Sequence, residues 1–163
     1  GMTAMHPDLA RLPMEATASK SLNCVACHPA HDFDTRQAAV EACLGCHNDE
    51  HSRAFKASAH YALWQAEIEA RGAPGSGVSC ATCHLPREGL NDQPEQRILV
   101  QHNQNLNLRP NQKMIRSVCM HCHGLGFTID ALADQTLIDN NFTGKPARHI
   151  ESLDMAAKRL DKQ

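Results

Sequence analysis

Apolar residues recur at helical spacing in three stretches of the chain, separated by polar and irregular segments. The longest stretch is Ser52–Arg71, which Ser52 can cap at its N-terminus and which Gly72 ends. Two shorter apolar stripes lie in Thr128–Asn140 and in Pro146–Lys162, where the proline stands near the start of the helix. The pattern therefore predicts three helices.

The remaining segments carry turn-forming residues, and none shows the alternation that marks a strand. The run GAPGSG at 72–77 predicts a loop, and residues 86–111, with their Pro, Asn and Gln, predict irregular chain without a strand. Residues 1–23 predict an extended N-terminal arm, which leaves residues 24–163 as a single domain. The predicted fold class is mainly α with much irregular chain.

Composition limits the kind of core and the class of partner. Aromatic residues make up 4% of the 163 residues, a thin supply of large core side chains. A net charge of −2 argues against nucleic-acid binding, which usually requires a basic surface. No apolar run approaches the roughly 18 residues that span a membrane, so no membrane span is expected.

Cysteine and histidine carry the candidate chemistry. All eight cysteines fall in C-x-x-C pairs, and each pair is followed at once by a histidine: CVACH, CLGCH, CATCH and CMHCH. This is the attachment signature of a c-type haem, in which the cysteines form thioether bonds and the histidine binds the iron. The predicted attachment residues are Cys24, Cys27, Cys43, Cys46, Cys80, Cys83, Cys119 and Cys122, with His28, His47, His84 and His123 on the irons.

Structural zinc is the main alternative, because the spacing between Cys27 and Cys43 fits a C-x2-C-x15-C-x2-C ribbon. Disulfide pairing is a third option. The histidines favour haem: with 11 His in 163 residues, chance would place one after all four pairs about 2 times in 100,000. We therefore expect four covalently attached haems c, stacked as the core of a multihaem cytochrome, with helices and loops wrapped around them.

Each iron has a further axial position, and seven histidines lie outside the attachment positions. His60 lies on the strongest predicted helix, His102 in a polar loop and His149 on the last predicted helix, so these three are the predicted distal ligands. His121, inside CMHCH, is expected to point outward. The candidates that remain for the fourth iron are His6, His31 and His51.

The order of these motifs resembles the C-terminal half of octahaem hydroxylamine oxidoreductases, whose haem arrangement the multihaem nitrite reductases share. The matching segments over residues 24–123 are CVACHPAHDF, CLGCHNDEH, SAH, CATCHLP, VQHN and VCMHCHG. The resemblance implies a mainly helical fold with closely stacked haems. It also implies these ligand pairings: His102 with the 43–47 haem, His149 with the 80–84 haem, His60 with the 119–123 haem and His6 with the 24–28 haem.

The chain also departs from that family. The family's catalytic haem is attached upstream of the segment that matches CVACHPAHDF, whereas the 23 residues before Cys24 contain no cysteine, so no catalytic haem is expected. His51 aligns with a substrate-pocket histidine but has no catalytic iron of its own chain to face. His31 is too close to His28 to reach the opposite face of the same iron. By resemblance it would ligate a haem of the missing half, which a neighbouring copy could supply.

Two functions follow from the sequence. The favoured one is an extracytoplasmic electron-transfer cytochrome, not an enzyme, located in the periplasm or at the cell surface, whose partners are redox proteins or extracellular acceptors. Its copies would either associate head to tail into a conducting filament or remain a soluble shuttle. The alternative is a small oxidoreductase of a nitrogen or sulfur compound at one five-coordinate haem, with His51 or His31 as acid–base group.

Overall fold

A computed structural model describes residues 24–31, 34–89 and 98–151, and these residues are mainly helical. The arm predicted for residues 1–23 lies outside them. The chain forms two compact units, residues 1–82 and residues 83–163. The single domain expected for residues 24–163 stays a prediction. No helix within the described residues is long and apolar enough to cross a membrane.

The first unit is built of short helices, several of them a single turn. In chain order they are α1 (Cys24–Cys27), a π-helical turn (Gln37–Glu41), α2 (Ala42–Leu44), α3 (Glu50–Ala54), a 3-10 turn (Phe55–Ala57) and α4 (Ala59–Ile68). The next helix, α5 (Cys80–His84), starts in the first unit and ends in the second. The buried apolar side chains described in the first unit are Val40 and Phe55, and Tyr61 packs edge-on against Phe55 with ring centroids 5.2 Å apart.

The single helix predicted over Ser52–Arg71 is wrong, because the chain breaks at Ser58. The first piece is capped by Asp49, whose Oδ1 accepts the Ser52 N–H at 3.0 Å. Ser58 is extended (ψ 157°), and its Oγ accepts the Tyr61 N–H at 3.2 Å and donates to the Phe55 carbonyl at 2.7 Å. A serine that bonds its neighbouring backbone in this way ends one helix and caps the next.

The loop predicted at 72–77 is confirmed, and it is tied back to α4 by one carboxylate. Glu67 accepts the N–H groups of Gly75 and Gly77 at 2.6 and 2.5 Å. A Cβ at residue 77 would stand 2.5 Å from the Glu67 Oε2 and 3.1 Å from the Trp64 ring, so a side chain there would displace the carboxylate. Gly77 thus lets the backbone approach the carboxylate closely, whereas Gly75 supplies a left-handed backbone (φ 81°).

The second unit combines a small hairpin with short helices. Its elements are β1 (Arg87–Gly89), β2 (Ile98–Val100), α6 (Gln104–Asn107), a 3-10 turn (Asn111–Lys113), α7 (Met114–Ser117), a 3-10 turn (Cys119–His121), α8 (Leu125–Ala133) and α9 (Gln135–Asp139). Met114, Val118 and Leu132 form its buried apolar cluster, against which Cys83 and Cys119 pack.

The prediction that residues 86–111 contain no strand is wrong. β1 and β2 pair antiparallel, with Arg87 opposite Val100 and Gly89 opposite Ile98. Each strand has three residues, too few to display an alternating pattern in the sequence.

The two C-terminal helix predictions are also wrong in their bounds. The predicted helix Thr128–Asn140 begins earlier, at Leu125, and divides at Asp134, whose carboxylate accepts the Leu137 N–H at 3.1 Å and caps α9. The first five residues of the predicted helix Pro146–Lys162 are not helical, and helix begins only at residue 151. Its residues 152–162 lie outside the described part of the chain.

We predict that Ser58→Ala lowers the free energy of unfolding by about 1 kcal/mol, because it removes the cap of α4. Guanidinium unfolding of the full protein, followed by circular dichroism, measures this loss. The control is Ser76→Ala, which removes an exposed loop bond to the Ala73 carbonyl and is expected to change stability by less than about 0.5 kcal/mol. Equal losses in the two variants would contradict the capping role.

Candidate functional site

Each of the four C-x-x-C-H motifs forms one helical turn, in which the backbone of the histidine faces the backbone carbonyl of the first cysteine. The backbone N–H of the motif histidine donates to the carbonyl of the first cysteine: His28 to Cys24 at 2.8 Å, His47 to Cys43 at 2.8 Å and His123 to Cys119 at 2.9 Å. The third motif forms the helix α5. Positions i, i+3 and i+4 share one face of such a turn. Both thiols and the imidazole of each motif are therefore brought to the same side.

The third motif has its own capping box. The Thr82 N–H donates to the Ser79 Oγ at 3.2 Å, and the Ser79 N–H donates to the Thr82 Oγ1 at 3.0 Å. This reciprocal pair satisfies two backbone donors that the start of a helix leaves open. The turn that presents Cys80 is thus fixed by the residues immediately around it.

In the first unit the thiols of successive motifs lie together. Burial raises the pKa of Cys27, and the charges of Cys43 and Cys46 in the second motif raise it further. Cys43 shares a side-chain hydrogen bond with Cys80, and this bond, with burial, raises the pKa of Cys43. Cysteines of three motifs therefore lie close enough to influence one another.

The second unit repeats this proximity with Cys83 and Cys119. Burial first, and then the charge of Cys119, raise the pKa of Cys83 to about 12, and burial also raises the pKa of Cys119. These thiols are protonated at neutral pH. None of the eight cysteines is in a disulfide, and Cys24 and Cys122 are exposed. No C-x-x-C pair is therefore used as a disulfide.

His47 carries a buried nitrogen that has no hydrogen-bond partner among the residues the structure describes. Its Nδ1 lies 4.0 Å from the Asp49 Oδ2, too far for a hydrogen bond. Burial alone would raise the pKa of Asp49, but hydrogen bonds from Ser52 outweigh it and the positive charge of His51 adds to them, so that pKa is lowered. A buried polar atom in a native protein is normally paired, so this nitrogen is left unsatisfied within the described part of the chain.

His149 is oriented by a buried carboxylate of α8. Its Nδ1 lies 2.8 Å from the Asp130 Oδ2, while the Asp130 Oδ1 accepts the Ile150 N–H at 2.9 Å. These bonds, from His149 first, hold the pKa of Asp130 below its usual range. The expectation that His149 lies on a helix is wrong, because it lies in non-helical chain before residue 151. It is exposed.

His102 lies in the loop between β2 and α6, as predicted. Its Nδ1 lies 2.9 Å from the Val100 carbonyl. The buried Asn107 donates to the Gln101 carbonyl at 2.9 Å, and the Asn103 Oδ1 accepts an N–H at the start of α6. The loop that carries this imidazole is therefore fixed by hydrogen bonds on both sides.

The other predicted ligands differ in exposure. His60 is half-buried in the first turn of α4, which confirms its helical position, and His51 is half-buried on α3. His31 is exposed directly after the first motif, with a left-handed backbone (φ 71°). His121 is exposed, as predicted. His6 lies outside the described residues.

Large apolar side chains are exposed close to the predicted ligands. Each one lies inside a C-x-x-C-H motif or within four residues of a motif histidine or a predicted distal histidine: Val25, Leu63, Ile98, Leu99, Leu106, Met120, Leu125 and Phe127. Phe127 stacks on the His123 ring with centroids 4.9 Å apart. All of these exposed side chains are therefore close in sequence to a candidate haem ligand.

Sequence reasoning missed Asp130 and the Val100 carbonyl as partners of the predicted ligands. Asp130 is 19 residues from His149, and no sequence pattern links them. Within 24–31, 34–89 and 98–151 no three His, Cys, Asp or Glu side chains converge as a metal site. The pairings of His60, His102 and His149 with particular haems stay predictions.

No protein-family model, curated protein or solved structure matches the chain. The resemblance to octahaem hydroxylamine oxidoreductases therefore stays a prediction.

Proposed function

We propose that the chain is a tetrahaem c-type cytochrome that transfers electrons along closely stacked bis-histidine haems. Cys24, Cys27, Cys43, Cys46, Cys80, Cys83, Cys119 and Cys122 attach the porphyrins, and His28, His47, His84 and His123 bind the irons from one side. The observation that carries the proposal is the repeated helical turn. It brings two thiols, neither of them in a disulfide, and an imidazole to one side in each motif.

The distribution of apolar surface supports the same function. Seven apolar side chains are buried among the described residues: Val40, Phe55, Met114, Val118, Ala131, Leu132 and Leu137. The large exposed ones lie within a motif or within four residues of a motif histidine or a predicted distal histidine. Porphyrins attached at the motifs would cover this surface, with a gain of about 25 cal/mol per Å² of apolar area removed from water. The cofactors would then supply the core that the side chains do not.

The proximity of successive motifs supports a chain of redox centres. In the first unit Cys43 contacts Cys80, and in the second unit Cys83 lies beside Cys119. Bound haem iron supplies reversible one-electron chemistry, while the protein sets axial ligands, hydrogen bonds and burial. His102 and His149 suit the distal positions because the Nδ1 of each faces an acceptor oxygen, a contact typical of an imidazole that binds a metal through its other nitrogen.

We place this function outside the cytoplasm, in the periplasm or at the cell surface, with redox proteins or extracellular acceptors as partners. We also propose that copies associate head to tail. His31 is exposed beside the first motif and cannot serve the iron of His28, whereas Met120, Leu125 and Phe127 expose apolar surface around the fourth motif. A contact between two different surfaces of this kind gives a ring or an open filament.

We predict four covalent haems per chain, all low-spin, because four complete motifs are accompanied by at least as many further histidines. A pyridine haemochrome assay measures the haem content, and electron paramagnetic resonance measures the spin state. Carbon monoxide should not bind the reduced protein, because six-coordinate iron offers no open position. Fewer than four haems, or strong carbon monoxide binding with turnover of hydroxylamine or nitrite, would contradict the proposal.

We predict that His60→Ala, His102→Ala and His149→Ala each convert one haem of four to the high-spin state. The reason is the loss of one axial ligand per variant. The matched control is His121→Ala, which removes an exposed histidine inside the fourth motif and should leave all four haems low-spin. An unchanged spectrum in any of the first three variants would exclude that histidine as a ligand.

We predict that the native protein forms head-to-tail assemblies and that His31→Ala weakens them. Light scattering against protein concentration and electron microscopy measure the assembly. His121→Ala serves again as control, since it removes another exposed histidine but leaves His31 in place. A monomer that is stable to dilution and holds four six-coordinate haems would contradict the assembly but not the electron-transfer function.

A further inference from the structure

We propose that Asp130 is a positioning residue that orients His149 towards its iron and makes the imidazole a stronger donor. The inference rests on the proposed function, since it concerns a histidine that would bind a haem. It goes further in assigning a role to a carboxylate that belongs to no sequence motif. The haem bound by His149 should consequently have a lower reduction potential than it would with a neutral partner.

The first observation is that Asp130 makes two hydrogen bonds to the segment that carries His149. One carboxylate oxygen of Asp130 lies 2.8 Å from the His149 Nδ1, and the other accepts the N–H of Ile150 at 2.9 Å. Asp130 itself is 7% exposed and sits on α8, one of the longer helices described. A carboxylate fixed on a helix thus holds both the ring of His149 and the backbone beside it.

The hydrogen bond to Asp130 determines which nitrogen of the His149 ring carries a proton. A carboxylate accepts hydrogen bonds, so the Nδ1 of His149 carries the proton and the Nε2 carries the lone pair. The His149 side chain is 52% exposed, whereas that of Asp130 is 11% exposed. The ring is therefore held through its Nδ1 by a buried carboxylate while much of the side chain is exposed, as in a carboxylate–histidine pair that binds a metal.

His102 can be compared with His149, because its Nδ1 faces a different kind of acceptor. Its Nδ1 faces the Val100 carbonyl at 2.9 Å, a neutral acceptor, whereas His149 faces a carboxylate. Hydrogen bonds to ionised acceptors are stronger than those to neutral ones and draw more of the proton away from the ring. A more basic imidazole stabilises oxidised iron, which lowers the reduction potential. The chain therefore gives two distal ligands different donor strengths.

Asp134 is a second carboxylate that distinguishes the effect of Asp130 on the imidazole from the effect of holding the backbone in place. Like Asp130 it is buried, and it accepts the N–H groups of Leu137 and Ala147 at 3.1 and 2.8 Å. Among the described residues, the hydrogen bonds that Asp134 accepts come from backbone N–H groups and not from an imidazole. Asp134→Asn therefore removes an equivalent negative charge, four residues along the chain, without touching a predicted ligand.

The experiment compares Asp130→Asn with Asp134→Asn in the full haem-loaded protein by potentiometric titration and electron paramagnetic resonance. Asp130→Asn should retain four haems, shift one of the four transitions to higher potential and alter one low-spin signal. Asp134→Asn should leave all transitions in place. No shift in Asp130→Asn, or an equal shift in both variants, overturns the inference. Fewer than four haems in the unaltered protein would overturn the proposed function instead.

A second measurement covers the case in which Asp130→Asn does not load haem. His149→Met and His102→Met should each raise the transition of their own haem and so assign it in the unaltered protein. The transition of the His149 haem is expected at lower potential than that of the His102 haem. The reverse order overturns the inference.

Discussion

One hydrogen bond, from the N–H of the motif histidine to the carbonyl of the first cysteine, fixes the geometry on which the candidate sites depend. It closes a helical turn and so determines that two thiols and an imidazole share a face. Much of the surrounding structure serves to present such turns, as the capping box of Ser79 and Thr82 does for the third. The sites are therefore defined by the backbone before any cofactor is considered.

Turns of this length are not stable alone, because a helix must gain several hydrogen bonds before it offsets the cost of nucleation. α1 has four residues and α2 has three. The buried apolar clusters in each unit are small, while large apolar side chains near the motifs are exposed. If porphyrins cover these side chains, cofactor attachment and folding stabilise each other, since a ligand that binds only the folded state adds its binding energy to stability.

The sequence predicted the local features well and the long-range ones poorly. The 72–77 loop and the helical position of His60 follow from neighbouring residues, and both agree with the structure. The helix breaks at Ser58 and Asp134 were missed, because Ser and Asp occur both inside helices and at their caps. The non-helical chain at His149 depends on Asp130, 19 residues away, and such a contact leaves no local pattern.

Carboxylates, more than apolar packing, hold the irregular parts of this chain. Asp49, Glu67, Asp130 and Asp134 each accept backbone N–H groups. The pKa values of Asp49 and Asp134 are lowered by these bonds, so the stabilisation is complete above the pKa of an unfolded aspartate and is lost as pH falls through the lowered value. At Asp130 the same arrangement also receives an imidazole N–H. A carboxylate that holds irregular backbone can therefore also set the donor strength of a histidine ligand, without any additional structural element.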